Sequence, residues 1–231
     1  MQINKIIELI ENFAPLELQE SWDCSGWQID MQKDVKKVLL CLSVTQKIIE
    51  QAVKKNCDMI IAHHPLFCVP LEFNKNIPIY SAHTNLDKAQ GGTTDALIGM
   101  LGLVPEKKSD DFLRFVEFGD EVSLDDFISL IKSRLGLKNL RVVNNFNKQN
   151  IKKIALCAGS GMDFISEVEG LADVFVTGDV KYHSALESNV IIIDVGHFES
   201  EHPVLGKIAK MLKPLNVEVI IADEKSPFIN Y

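Results

Sequence analysis

VKKVLLC (residues 35–41) and IKKIALC (residues 151–157) match position by position, and their recurrence decides how the fold is read. Each is a short run rich in aliphatic residues and reads as a buried strand. A helical stretch follows each: TQKIIEQAVKKN (45–56) in one half and MDFISEVEGLA (162–172) in the other. Ile48, Ile49, Ala52 and Val53 recur at helical spacing, as do Phe164, Ile165, Val168 and Leu171. A second strand comes next, DMIIA (58–62) against DVFVT (173–177).

Working outward, the correspondence continues in the same order. IPIYSAHTNLD (77–87) pairs with IIIDVGHFESE (191–201), which sets His83 opposite His197 and Asp87 opposite Glu201. DALIGML (95–101) pairs with GKIAKML (206–212), both helical, and NKIIELIENFAP near the start pairs with SLDDFISLIKSRLGL (123–137). In the latter, Ser123 has the character of an N-cap with Asp126 as its partner. Chance likeness between apolar strands is common, but an ordered series with only small drift in spacing points to duplication. The expected architecture is therefore α/β and internally duplicated: two similar halves with mixed or parallel sheets and a metal site between them. Strand–helix–strand units of this length favour parallel pairing through right-handed crossovers. The short charged stretch PEKKSDD (105–111) marks the expected boundary, giving repeats 1–105 and 106–231, with residues 190–231 able to pack back on the first half.

Composition sets the outer bounds. The chain has 231 residues, 46% hydrophobic and 24% charged, enough for one large or two small domains to bury a core without staples. Its 24 Lys and Arg stand against 32 Asp and Glu, a net charge of −8 that disfavours broad binding to nucleic acid or anionic membranes. Five cysteines, an odd number with no CxxC pair, indicate neither a disulfide framework nor a zinc knuckle. Glu8 and Glu11 interrupt the first apolar stretch, which argues against a signal peptide. Apolar runs fall short of the roughly 18 residues a membrane span needs, so a cytoplasmic protein with no membrane contact is expected.

Histidines and carboxylates gather at strand ends. His63 and His64 follow DMIIA directly, and Pro65 stops the strand. At the carboxyl end of a parallel strand such residues face the crevice where α/β proteins bind ligands. Adjacent histidines diverge in direction, so two there suit two metal ions better than one; solvated imidazoles on a turn are the plainer reading. His83 and Asp87, like His197 and Glu201, stand four apart and share a face if the segment turns helically. Imidazole with carboxylate suits Zn²⁺, Mn²⁺ or Fe²⁺. Two facing carboxylates such as Asp87 and Glu201 repel without a cation. Asp179 and His183, in TGDVKYH, sit where the second half should mirror His63 and His64, as ligands, supporting groups or proton carriers, or as a polar loop before a helix. The Gly91-Gly92 and Gly159-Ser160-Gly161 turns offer a weak prospect of an anion cradle. WDCSGW (22–27) reads as a polar–aromatic turn whose tryptophans anchor a core or an interface.

IIAHHPLF (60–67), SAHTNLD (81–87), TGDVKYH (177–183), GHFESE (196–201) and WDCSGWQI (22–29) together resemble the signature segments of the NIF-three-like family, whose bacterial members carry the label GTP cyclohydrolase I type 2. The resemblance runs in order from Trp22 to Glu201. It implies a dinuclear site of two divalent transition-metal ions, Zn, Fe or Mn, ligated by His63, His64, Asp87, His197 and Glu201, in a toroidal homohexamer. This chain is of the short type, has Cys24 where the family often has Asn, and continues from HHPLF with Cys68 and Val69. The function so implied is metal-dependent hydrolysis of a nucleotide or related small molecule, with His83 or His183 as candidate proton carriers. The alternative is a protein that stores or delivers metal, or serves assembly, without turnover.

Overall fold

The computed structural model describes residues 2–66, 76–106 and 111–229. Cys68 and Val69, and residues 107–110 of the charged stretch, lie outside the described residues. Helix α1 (Ile3–Phe13) buries Ile3, Ile6, Ile7 and Ile10, the face that a 3.6-residue period selects. Each such isoleucine contributes about 2 kcal/mol by leaving water. Strands β1 (Gly26–Ile29) and β2 (Lys37–Cys41) follow. In α2 (Gln46–Lys54) the Thr45 hydroxyl caps the first turn by accepting from the Ile48 N–H, while Ile48, Ile49 and Ala52 are buried. Val53 belongs to the expected apolar set but is 52% exposed. β3 (Met59–Ala62), β4 (Ile79–Ser81) and the short α3 (Thr84–Lys88) complete this run.

The chain then passes to its second run. Helix α4 (Thr93–Leu101) leads into β5 (Arg114–Ser123), α5 (Leu124–Leu135), β6 (Arg141–Val143) and β7 (Asn150–Leu156). α5 starts as its sequence indicates, with the Ser123 hydroxyl accepting from the Asp126 N–H, and stops at Gly136 in the left-handed region. The expected helix over 162–172 is shorter: a 3₁₀ turn at Gly161–Phe164 runs into α6 (Ile165–Val168), which Gly170, with φ +79°, brings to an end. Leu171 is consequently 60% exposed. β8 (Val174–Thr177), α7 (Tyr182–Glu187), β9 (Ile191–Asp194) and α8 (His197–Glu201) follow, then α9 (Pro203–Leu212) and β10 (Glu218–Ile221).

Among the described residues the strands form two mixed five-stranded sheets, ordered β1-β4-β3-β2-β10 and β5-β7-β8-β9-β6. β2, β3 and β4 run parallel, as do β7, β8 and β9, while β1 and β6 are antiparallel to β4 and β9 respectively. Alternation along the second sheet sends Ile154, Val174, Val176 and Ile191 to one core and Ala155, Phe175 and Ile192 to the other. Such strands, covered on both faces, are uniformly apolar, which is why they read so clearly.

One local device recurs in both sheets. The Asp58 carboxylate accepts from the Lys36 and Lys37 N–H groups at 2.8 and 3.0 Å. Asp173 accepts from Lys152 and Lys153 at 2.7 and 2.9 Å. A carboxylate entering the second strand thus fixes the register of the first.

The chain divides into two compact units, Met1–Gly92 with Val204–Lys225, and Thr93–Pro203 with Ser226–Tyr231. This differs from a division into 1–105 and 106–231. α4 belongs to the second unit because Leu97, Ile98 and Leu101 enter its core. α9 and β10 belong to the first, where β10 lies parallel to β2, whereas β9 and α8, also within 190–231, stay in the second. The two helices paired by sequence, α4 and α9, are therefore each counted with the other repeat's unit.

Candidate metal centre

In the first unit, β3 ends where His63 begins. The His63 ring is fully buried, and its Nδ1 lies 2.9 Å from the Ala82 carbonyl oxygen. A carbonyl only accepts, so Nδ1 carries a proton and the ring is turned with Nε2 to the other side. That Nε2 faces Asp87 Oδ1 at 3.5 Å. His64 has its Nδ1 2.7 Å from the Ser43 hydroxyl, in the loop that follows β2. Glu224 supports this loop by accepting from the Leu42 N–H at 2.5 Å; burial raises its carboxyl above the usual range, although hydrogen bonds from Leu42 and Ser43 oppose that. Donor atoms of His63, His64 and His83 all lie within 4.8 Å of one another.

His83 does not pair with Asp87, although the two stand four apart. It occupies the N-cap position of α3 with φ −113° and ψ −107°, outside helical geometry, so the i, i+4 rule does not apply. Its Nδ1 instead donates to Asp23 Oδ1 at 2.9 Å. The Asp23 side chain is wholly buried and also accepts from Ser25 Oγ at 2.7 Å and from the Thr84 hydroxyl at 2.5 Å. Burial by itself would raise this carboxyl, but hydrogen bonds from Thr84, His83 and Ser25 bring it down to about 2. Asp23 belongs to this cluster although no local pattern marks it: it lies inside WDCSGW, whose visible character is aromatic, and its partner His83 is 60 residues away.

In the second unit, His197 and Glu201 are the first and last residues of α8, and here the spacing works as expected. His197 Nε2 lies 3.0 Å from Glu201 Oε1, and Nδ1 lies 2.7 Å from Asp179 Oδ2. The hydrogen bond to Glu201, opposed by burial and helped by Asp179, raises His197 to about 9. Asp179 reaches this position from a left-handed backbone, φ +55°, directly after Gly178. A Cβ on Gly159 would stand 2.3 Å from Glu201 Oε1, so the glycine leaves room for that carboxylate. The Gly159 and Gly161 N–H groups donate to Ser200 and Thr177, which removes the anion cradle read from that turn. His183 lies exposed on α7 with its ring against Tyr182, apart from the donor groups described above. Cys24, Cys41, Cys57 and Cys157 are not joined in disulfides.

These donors fit divalent transition metals. The His63 Nε2 facing a carboxylate oxygen, with two further imidazoles alongside, gathers nitrogen and oxygen donors in one place. Divalent cations such as Zn²⁺, Mn²⁺ and Fe²⁺ take such nitrogen and oxygen donors. Among the described residues no helix is long and apolar enough to cross a membrane.

Fold and donors together define a duplicated α/β protein with imidazole–carboxylate pairs at the ends of parallel strands. The sequence model of the Duf34/NIF3 (NGG1p interacting factor 3) family matches residues 1–227, and the chain belongs to that family. It is 38% identical to the "GTP cyclohydrolase 1 type 2 homolog" of Clostridium perfringens, over 99% of both chains. Among solved structures, reduced HcgD from Methanocaldococcus jannaschii is 30% identical, with a TM-score of 0.85 over 97% of this chain and 98% of that one. The Bacillus cereus protein related to NIF3, at 22% identity, shares the fold with a TM-score of 0.87 over 100% and 99%.

Proposed function

We propose that His63, His64, Asp87, His197 and Glu201 hold two divalent transition-metal ions, and that the protein is a metal-dependent hydrolase of a nucleotide or related small molecule. The observation that carries this reading is the orientation of the His63 ring, held at Nδ1 by the Ala82 carbonyl so that Nε2 faces Asp87. Bound ions of this kind supply Lewis-acid polarisation of the substrate and activation of water. His83 is the proton carrier. Its Nδ1–H is held by Asp23, which orients the ring and leaves Nε2 to take or give a proton. Asp179 does the corresponding work for His197, holding Nδ1 so that Nε2 points at Glu201.

The name of the Clostridium perfringens relative supports nucleotide ring opening as the reaction to try first. Family membership supports a homohexamer, and the charge of −8 speaks against a nucleic-acid partner. A cytoplasmic location fits this reading.

The test is elemental analysis of untagged protein and of His64→Ala, followed by turnover assays on nucleotides, phosphoesters and cyclic amides, with His83→Asn as a control. Metal in the wild type, less in His64→Ala, and turnover lost in His83→Asn without metal loss are expected. Metal that exchanges freely, with no turnover on any substrate class, would favour storage or delivery. An absence of metal after soaking with Zn²⁺, Mn²⁺ and Fe²⁺ overturns both.

A further inference from the structure

The second unit contains a cavity of about 320 Å³ that opens beside His197. That is the size of a small-molecule site. Leu137 and Leu140 contribute apolar wall, and Phe228, 77% exposed, adds an aromatic face from the chain's last described residues. Most of the charged groups on its wall are engaged by neighbours in the protein. Asp194 accepts from the Arg141 guanidinium, from the Val180 N–H at 3.3 Å and from the Gly196 N–H at 3.0 Å. Arg141 also donates to the Val180 carbonyl, and Asp179 is engaged by His197.

Glu199 is different. Among the described residues nothing donates a hydrogen bond to its carboxylate or pairs with it, and the half-buried side chain lines the cavity. A Cβ on Gly196 would meet Glu199 Oε2 at 2.1 Å, but that carboxylate end can swing aside, so it is the φ of +93° that requires glycine there. A carboxylate without a protein partner in a partly apolar cavity repels anions and favours a ligand that brings its own donors.

We propose that this cavity binds a planar amidine-type group, a flat carbon centre carrying two N–H donors, with its edge on Glu199 and its face on Phe228. A carboxylate accepts two parallel N–H bonds from such an edge, as it does from a guanidinium. An aromatic face stabilises a flat, delocalised cation or heterocycle. The proposal rests on the hydrolase reading, for which it supplies the substrate class: amidines, guanidines and amino-substituted heterocycles, held next to His197.

Calorimetric titration of the full chain tests it, with benzamidine as the probe and benzoate as its charge-reversed counterpart, on zinc-loaded and on metal-free protein. Benzamidine is expected to bind both forms at least about tenfold more tightly than benzoate. Glu199→Gln, nearly isosteric, is expected to weaken benzamidine about tenfold, and Phe228→Ala, at an exposed position that does not carry the core, several-fold. Equal binding of the two probes, or a Glu199→Gln affinity equal to wild type, overturns the assignment. Zinc uptake without benzamidine binding removes this cavity and leaves the metal reading standing. Benzamidine binding without zinc uptake does the reverse: the cavity keeps its ligand and the hydrolase reading falls.

Discussion

The loops that leave β3 and β8 occupy the same position in two copies of one scaffold, and they have become chemically different. Through the Asp58 and Asp173 braces and the ladders β3–β4 and β8–β9, His63 in the first unit corresponds to Gly178 in the second, and His64 to Asp179. His63 places a buried imidazole against Asp87. At Gly178 no side chain fits: a Cβ would lie 2.7 Å from the His197 nitrogen and 2.8 Å from the Gly196 carbonyl carbon. The extra residue is Gly196, which moves His197 from the cap into α8 itself, whereas His83 remains the cap of α3. One inserted residue therefore explains why His197 reaches Glu201 along its own helix while His83 turns to Asp23. Backbone hydrogen bonds are hard to vary without cost, so the scaffold is repeated; side chains at strand ends vary freely, so the chemistry is divided.

The strongest way to break this comparison is at Gly178. Gly178→Ala is expected to destabilise the protein by about 3 kcal/mol, because backbone rather than a flexible side chain blocks the methyl. Urea denaturation reads this directly, and a change below about 0.5 kcal/mol would show that the two loops are interchangeable after all.

A smaller effect should come from the groups that hold the imidazoles. Ser43→Ala removes the hydroxyl that holds His64 Nδ1, and Asp179→Asn weakens the hold on His197. Each is expected to reduce metal affinity about 10- to 100-fold with little change in stability, read by competition with a chromophoric chelator. If only one of the two variants responds, the halves do not contribute alike.

The smallest expected effect distinguishes the two braces by pH. Burial would raise the Asp173 carboxyl, but the Lys148 ammonium and the N–H groups of Lys153 and Lys152 hold it below the usual range. A depressed folded-state value means stability that is present above the unfolded value of about 3.9 and is lost as pH falls below it. Lys148 is 46% exposed, so its share is only a few tenths of a kcal/mol. Lys148→Ala should cost that amount at pH 7, where the Asp173 carboxylate is charged, and progressively less as the carboxyl is protonated, so the acid limb of the stability profile flattens. A loss at pH 3 as large as the loss at pH 7 would contradict the assignment to charge.

Much of this was legible in the sequence, for identifiable reasons. Strands buried on both faces carry runs of apolar residues, so β2, β3, β8, β9 and the second half of β7 stand out, as do capped helices such as α5. The edge strands do not: β6 is largely exposed and β10 half-exposed, so neither shows a buried run. Membership of α4 and α9 in a unit depends on packing across long separations, which no local pattern encodes. In the site, His197 and Glu201 pair as their spacing suggests because both lie inside one helix. His83 and Asp87 do not, because a single cap residue lies outside the helical turn. Asp23 escaped notice because its partner, His83, is remote in sequence.

The central claim is that donors from both repeats serve the same metal content. Elemental analysis of the untagged wild type beside Asp87→Ala and Glu201→Ala tests it most directly. About two transition-metal ions per wild-type chain are expected, with loss from each variant although the two residues lie in different repeats. Full occupancy in either variant, or a wild type that holds no metal after soaking, would contradict it.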